Sequence, residues 1–350
     1  MRRVILWACV AGLVAGCGPI EPAGDDKPKR DTFASDAQVP KEDPKKPKFA
    51  EDRQPGKPDD KEKKVGFDGE RAAKHVKELC DIGPRISGSD GMKKQIELLV
   101  KHFDDLGGKV TKQEFQGTQK NRKAVGMTNL IVSWFPDRKQ RVVLLTHYDT
   151  RPIADQEANK NNWNKPFVSA NDGTGGVAFM MELARHMKDL PTGVGVDFVI
   201  VDGEEYVFGD NDDYFLGSKH FADEYKKAEK TRGFKYTAGV LFDLCFHDGA
   251  KLKVEDYSWN GAKDLVNAIW GIAANRKAKS FQYLRGFDRS TAVQDDHLAL
   301  LDVGIPAVDI IDFDYADWHK LSDTPDKISA KQMTEVAGVI VEWLGTLKEK

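Results

Sequence analysis

Strand-like apolar runs alternate with helix-like patterns along residues 65–350, and this alternation limits the fold more than any other feature of the sequence. The strand-like runs lie at 128–134, 141–146, 196–201, 239–242 and 307–311, and the helical patterns at 72–79, 92–106, 175–187, 218–225, 262–274 and 331–344. We expect Gly107 to end the second helix and Gly345 the last. The alternation predicts an α/β fold, a three-layer sandwich with a mostly parallel, mixed and twisted central sheet.

Residues 1–17 have the features of an export signal. Two arginines precede an apolar run of 13 residues at 4–16, which is shorter than the roughly 20 residues of a membrane-spanning helix. The run ends in LVAGC at 13–17, which resembles a bacterial lipobox and implies that Cys17 receives a diacylglyceryl group. We expect an exported protein, lipid-anchored to a bacterial cell membrane at its periplasmic or extracellular face. The alternative is an ordinary signal peptide in which Cys17 has no role.

Residues 18–64 differ in composition from the rest of the chain. They contain 8 of the 15 prolines, 12 Lys+Arg and 12 Asp+Glu, and almost no apolar residues. Such a segment cannot bury enough surface to offset its conformational entropy, so we predict a disordered tether between the signal and a catalytic domain at 65–350. The whole chain has a formal net charge of -3, which argues against nucleic-acid binding. We expect a monomer.

Of the four cysteines, only Cys80 and Cys245 lie within residues 65–350. They allow at most one disulfide bond there. Two free thiols are the expected state, and a disulfide is the alternative if the fold brings the two residues together.

Acidic and histidine side chains follow successive strand-like runs. His147, the DGEE segment at 202–205 and Asp243 each come at the end of such a run, and Asp172 and His319 lie in loops. Ligand sites in open α/β sheets lie beyond the carboxyl ends of the strands. Carboxylates and neutral imidazoles are ligands of zinc, so this set predicts a site for one or two zinc ions.

Each member of this set also has an explanation without a metal. Asp172 could be a helix N-cap, His147 could be a buried core histidine, and the glutamates at 204 and 205 could be solvated at a turn. Such independent causes would seldom place all these residues at successive strand ends, so we favour the metal site.

The ordered motifs resemble those of peptidase family M28 and its glutaminyl cyclase branch. The residues that carry the resemblance are HYD at 147–149, NDG at 171–173, DGEE at 202–205, the Asp of LFDL at 243 and WH at 318–319. LGSKH at 216–220 and QDDH at 294–297 are more similar to the cyclases, because the aminopeptidases more often have Ser before a single Asp. The resemblance extends from Gly83 through the last helix and implies a zinc aminopeptidase or phosphorylase/hydrolase-like fold.

The resemblance also implies roles for individual residues. Asp172, Glu205 and His319 would be the ligands of one zinc ion. His147 and Asp243 would hold a second zinc together with a bridging Asp172, as in the aminopeptidases. Cyclases of this branch keep both of these residues while they bind one zinc, so we expect one ion, with two ions as the alternative.

In a cyclase, Glu204 would move the proton from the α-amine of an N-terminal Gln to the departing ammonia. Asp243 and Asp295 would orient Glu204 and stabilise developing charge. Trp318 and Val293 would line the pocket for the Gln side chain. The loop after Glu205 is shorter than in animal cyclases and lacks their Trp, which makes the substrate selectivity harder to predict.

Three functions are compatible with these motifs. The first is a zinc-dependent glutaminyl-peptide cyclotransferase acting on peptide or protein N-termini, favoured by QDDH, LGSKH and Trp318. The second is an M28 zinc aminopeptidase, which would use Glu204 to activate a water molecule against the first peptide bond. The third is a non-catalytic binding lipoprotein, which the complete set of ligands argues against.

Overall fold

The computed structural model describes residues 66–282 and 292–349. The described residues include no part of the predicted signal at 1–17, which contains the lipidation residue Cys17, or of the predicted tether at 18–64. The helices are α1 Gly69–Cys80, α2 Asp90–Leu106, α3 Thr174–Ala184, α4 Leu216–Lys227, α5 Asp256–Gly261, α6 Lys263–Arg276, α7 His297–Asp302 and α8 Ala330–Thr346. The strands are β1 Lys109–Gly117, β2 Val125–Trp134, β3 Gln140–His147, β4 Gly195–Val201, β5 Lys235–Asp243, β6 Leu252–Lys253, β7 Phe281–Gln282 and β8 Ala307–Ile311.

Six of these strands form one sheet with the order β1-β2-β4-β3-β5-β8. The four strands β4, β3, β5 and β8 are parallel, whereas β1 pairs with β2 and β2 with β4 in antiparallel orientation. The expected mixed, mostly parallel sheet is therefore confirmed, and its two antiparallel pairings, β1 with β2 and β2 with β4, lie on one side. The strand β1 was not predicted from the sequence.

Helices cover both faces of the sheet. Val142 and Leu144 of β3 point into the larger apolar core, where α1, α3 and α8 pack against one another. Val143 and Leu145 of the same strand point into a second core on the other face, under α4 and α7. A parallel strand buried on both faces needs such a continuous apolar run, which is why β3 contains the buried run 142–145 and β4 the buried run 198–201.

The helix ends follow the local sequence in most places. Ser89 caps α2 by accepting a hydrogen bond from the Met92 N–H at 3.1 Å, and Gly107 ends that helix with a φ of 86°. The prediction for Gly345 is wrong, because α8 continues through it to Thr346. Among the residues that the structure describes, no helix has the length and apolar character needed to cross a bilayer.

Candidate metal centre and active site

The parallel order β4-β3-β5 brings the predicted site residues to one edge of the sheet. His147 is the last residue of β3 and is paired with Val201, the last residue of β4, while Asp243 ends β5. The segment that carries Glu204 and Glu205 therefore begins beside His147. Three strand ends that are far apart in sequence thus meet at one place.

Asp172, Glu205 and His319 form a first group whose ligand atoms lie within 4.8 Å of one another. His319 Nε2 lies 2.9 Å from Glu205 Oε1 and 3.6 Å from Asp172 Oδ2. All three side chains are buried, and Asp172 Oδ2 has no hydrogen-bond partner among the described residues. Buried carboxylate oxygens need a partner, and this donor set fits a zinc site with a fourth position open.

His147, Asp172 and Asp243 form a second group, which shares Asp172 with the first. His147 Nε2 lies 3.1 Å from Asp172 Oδ1 and 3.3 Å from Asp243 Oδ1. The two oxygens of Asp172 thus face different histidines. This arrangement can bridge two ions, or it can place one ion beside an imidazole that is hydrogen-bonded to carboxylates.

The explanations without a metal disagree with this geometry. Asp172 is not the N-cap of α3, because that position is Gly173 and no side chain caps the helix there. Glu204 and Glu205 are only 7% and 4% exposed, so they are not solvated at a turn. His147 is buried, but it contacts carboxylates rather than the apolar core.

Two glycines allow this close approach of side chains. Gly203 has a φ of 73°, and a Cβ there would lie 2.6 Å from Met127 Sδ. Gly173 has a φ of 74°, and a Cβ would lie 2.7 Å from His147 Cε1. Any larger residue at either position would strain the backbone and collide with a neighbour of the site.

Glu204 and Glu205 have opposite electrostatic environments. Burial raises the pKa of Glu204 well above its ordinary value, and the negative charge of Glu205 raises it further. Burial also acts to raise the pKa of Glu205, but the positive charges of His319 and Arg151 outweigh it and hold that pKa far below its ordinary value. Glu205 is therefore suited to remain an ionised ligand, and Glu204 to exchange a proton.

Sequence reasoning missed two residues behind the ligands, Arg151 and Asp155. Asp155 Oδ1 lies 2.9 Å from Nδ1 of His319, the ring nitrogen on the side away from Glu205. Arg151 donates to Asp155 Oδ2 at 2.7 Å and to Glu205 Oε2 at 3.4 Å. A carboxylate on the far nitrogen of a ligand histidine fixes its tautomer and orientation. The only local signal in the sequence was the four-residue spacing between Arg151 and Asp155, which allows the two side chains to form an ion pair.

Asp295 and Asp243 are close enough to interact electrostatically. Among the described residues, neither aspartate forms a direct hydrogen bond with Glu204. Asp295 is 5% exposed, and burial together with the charge of Asp243 raises its pKa well above the ordinary value. The charge of Asp295 also contributes to the raised pKa of Glu204. The role of both aspartates in orienting Glu204 therefore stays a prediction.

The predicted pocket residues lie together beside the ligands. The Trp318 ring centroid is 4.0 Å from that of His319, and the Trp318 side chain packs against a small cluster that includes Val293 and Tyr315. Val293 is 4% exposed. Phe313 lies 5.0 Å from Trp318 and is 39% exposed, so an aromatic surface continues outward from the ligand histidine.

The loop after the glutamates is closed at its base and held by one side chain. The Phe215 N–H donates to the Glu204 carbonyl at 3.3 Å, so the loop returns to the residue where it began. Gln119 donates to the carbonyls of Tyr206 at 2.8 Å and Asp213 at 2.6 Å, and it accepts from the Asp213 N–H at 2.8 Å. Hydrogen bonds therefore tie both ends of this loop, which differs in length from that of the animal cyclases.

The two cysteines of the described residues, Cys80 and Cys245, are buried and free. Burial raises the pKa of Cys80 to about 11, and burial likewise raises the pKa of Cys245 well above its ordinary value. Both are therefore protonated packing residues at neutral pH, as expected for free thiols.

Comparison with known proteins agrees with this geometry. A bovine glutaminyl-peptide cyclotransferase is 23% identical over 227 residues, which is 57% of this chain and 61% of that protein. This chain thus spans about three fifths of the length of that curated relative.

Among the solved structures that match, two illustrate the range of the likeness, and each covers more than four fifths of this chain. The glutaminyl cyclase of Fimbriiglobus ruber is 56% identical, with a TM-score of 0.80 over 85% of this chain and 100% of that one. A leucine aminopeptidase precursor from Bacteroides thetaiotaomicron is 27% identical, with a TM-score of 0.73 over 81% of this chain and 98% of that one.

The family model described as "Peptidase family M28" matches residues 129–344, a range that contains every ligand of both groups and Glu204. Fold, ligand set and sequence match agree over the same residues. The chain belongs to peptidase family M28.

Proposed function

We propose that this protein is a zinc-dependent glutaminyl-peptide cyclotransferase, which converts N-terminal Gln of peptides to pyroglutamate and releases ammonia. The observation that carries the proposal is the pairing of a buried ligand group, Asp172, Glu205 and His319, with the neighbouring carboxyl of Glu204, whose pKa is raised. The choice of the cyclase over a peptidase is supported by the 56% identity to the Fimbriiglobus ruber glutaminyl cyclase.

The residues of the site can perform each part of this reaction. Zinc bound by Asp172, Glu205 and His319 would polarise the γ-carbonyl of the substrate Gln. Glu204 accepts a proton from the α-amine as the amine nitrogen bonds to the carbon of that carbonyl group, Cδ of the Gln. The same carboxyl then donates a proton to the amide nitrogen as the carbon–nitrogen bond breaks and ammonia leaves. The products, a pyroglutamyl peptide and ammonia, account for all atoms of the substrate.

We propose that one zinc ion is sufficient. The first group is fully buried, and its Glu205 is held ionised by His319 and Arg151. In the second group, Asp243 is less buried, and His147 already lies within hydrogen-bonding distance of both carboxylates. His147 would then serve as a hydrogen-bonding partner of Asp172 rather than as a ligand.

A second candidate function is a zinc aminopeptidase, and the second ligand group favours it. His147, Asp172 and Asp243 could hold a second ion, with Asp172 as the bridge. Glu204 would then accept a proton from a water molecule that attacks the first peptide bond. The likeness to the leucine aminopeptidase precursor keeps this alternative open to test.

Mass spectrometry of peptides incubated with the purified protein and zinc separates the two functions. Peptides that start with Gln should lose the mass of ammonia and stay intact, whereas matched peptides that start with Leu or Ala should be unchanged. Release of free N-terminal Leu or Ala, increased by a second equivalent of zinc, would instead establish the aminopeptidase. No change in any peptide would favour the binding protein.

We also propose that the protein is exported and lipid-anchored through Cys17, with residues 18–64 as the tether. The support is the basic start, the short apolar run and the LVAGC sequence at 13–17. Expression in a bacterium fed a tagged fatty acid should label the wild type but not Cys17→Ser. Equal labelling of both would contradict the proposal.

A further inference from the structure

Asp323 receives hydrogen bonds from the loop that carries Asp172. Its side chain is fully buried, and its oxygens accept the N–H of Asn171 at 3.0 and 3.2 Å and the N–H of Asp172 at 3.2 Å. Its own main-chain carbonyl accepts the N–H of Ala170 at 3.2 Å. One residue therefore pairs three successive N–H groups of the segment 170–172.

Asp323 accepts the N–H groups of Ala170, Asn171 and Asp172, and the Phe246 N–H donates to Asn171 Oδ1 at 2.9 Å as a further hydrogen bond of this segment. The segment lies between two residues with positive φ, Ser169 at 50° and Gly173 at 74°, and α3 begins after it without a side-chain cap. Buried N–H groups that lose their acceptors destabilise the conformation that buries them. The segment would therefore rearrange if Asp323 could no longer accept these bonds, and Asp172 would move with it.

Asp323 is also joined to the wall of the predicted pocket. The hydroxyl of Tyr315 donates to Asp323 Oδ1 at 2.8 Å. The Tyr315 ring is 7% exposed and packs in the cluster that contains Val293 and contacts Trp318. The carboxylate thus lies between the loop of a candidate ligand and the aromatic side of the pocket.

We propose that Asp323 is a positioning residue for Asp172, the residue that both ligand groups share. Tyr315 supports Asp323 from the pocket wall. The inference rests on the proposed function only in taking Asp172 as a zinc ligand. Asp323 belongs to neither ligand group. It acts through the backbone of the segment 170–172.

The test measures zinc affinity by competition with a chromophoric chelator for the wild type, Asp323→Asn and Tyr315→Phe. The Asn side chain turns an N–H₂ group toward backbone N–H groups, so we expect zinc binding about 10- to 100-fold weaker. Tyr315→Phe should weaken it by a smaller factor, because Asp323 keeps its backbone partners. Asp326→Asn is the matched control, since Asp326 is an exposed carboxylate of the same segment and accepts a hydrogen bond from the Thr324 hydroxyl.

Activity at saturating zinc and thermal melting of the metal-free proteins complete the experiment. Excess zinc should restore much of the kcat of Asp323→Asn. A lower melting temperature with unchanged zinc affinity would overturn the inference and leave Asp323 a purely structural residue. If Asp323→Asn does not fold, unchanged zinc affinity in Tyr315→Phe overturns it instead.

The failure of this inference is distinguishable from the failure of the proposed function. A wild type that binds zinc but cyclises no Gln peptide contradicts the cyclase, while the effect of Asp323→Asn on zinc affinity can still be read. A cyclase whose zinc affinity is unaffected by both variants contradicts only the role of Asp323 and Tyr315.

Discussion

The carboxylate of Asp149 accepts the backbone N–H of Glu205 at 3.0 Å through Oδ2, while its other oxygen accepts the N–H of the preceding residue, Glu204, at 3.2 Å. One buried side chain thus fixes the backbone of both glutamates. Because the backbone is fixed, the two carboxyls project into different environments. Glu205 reaches His319 and Arg151, and Glu204 stays near other carboxylates.

Replacing Glu204 tests whether this separation of roles is functional. We expect Glu204→Gln to lower kcat about 10²- to 10⁴-fold, because the amide cannot accept the proton of the α-amine. Zinc content, measured by atomic emission, should stay at the wild-type level, because Glu204 is not in either ligand group. A Glu204→Gln protein with full activity would show that the mechanism is wrong.

The number of zinc ions can be read from two variants of the ligand groups. We expect one zinc per wild-type chain, no tightly bound zinc in His319→Ala, and one zinc in Asp243→Asn. The reason is that His319 belongs to the first group and Asp243 only to the second. Two ions in the wild type, one of them lost in Asp243→Asn, would contradict the single-zinc site and support the aminopeptidase.

Asp155→Asn tests the support behind His319. The variant removes the negative charge on the far side of the imidazole and the partner of Arg151, so we expect zinc affinity about 10- to 100-fold weaker. Asp81→Asn is a matched control, because Asp81 pairs with Lys77 at the same sequence spacing on the exposed surface. The idea fails if the two variants bind zinc equally well.

Trp318→Ala tests the pocket wall. Loss of the aromatic surface should raise KM for Gln peptides about tenfold, equivalent to about 1.4 kcal/mol of binding free energy. Val293→Ala should act in the same direction with a smaller effect, because it removes only part of an aliphatic side chain from the same cluster. Steady-state kinetics at saturating zinc give both values. An unchanged KM in Trp318→Ala would place the Gln side chain elsewhere.

His102 gives a pH dependence of stability away from the metal centre. Burial lowers the pKa of this α2 residue below 6.5. Between the lowered pKa and 6.5, the unfolded chain therefore binds more protons than the folded chain. The contribution of neutral His102 to the free energy of unfolding is complete above pH 6.5. It is lost as the pH falls through the lowered pKa. Between about pH 7 and about pH 5, the wild type should lose more stability in urea titrations than His102→Gln. Equal losses would contradict the burial effect.

The secondary structure that sequence reasoning missed depends on distant pairing. The strand β1 is polar and mostly exposed, and it is a strand because it pairs along its whole length with β2, from Lys109 with Ser133 to Gly117 with Val125. An edge strand with little apolar periodicity has no local signal of this kind. The helix predicted at 262–274 is present as α6, whereas the short helix α5 that precedes it was not predicted.

The sequence alone determined the α/β class, the family and the set of candidate ligands. This was sufficient because His147, Glu205 and Asp243 follow buried apolar runs, and the ends of parallel strands share one edge of the sheet. Tertiary structure decided what stands behind those ligands. Asp155 bonds His319 across 164 residues of sequence, and Asp323 bonds Asn171 across 152. Chemical type and position along a strand are local properties, whereas the partner of a buried carboxylate is set only when the loops pack together.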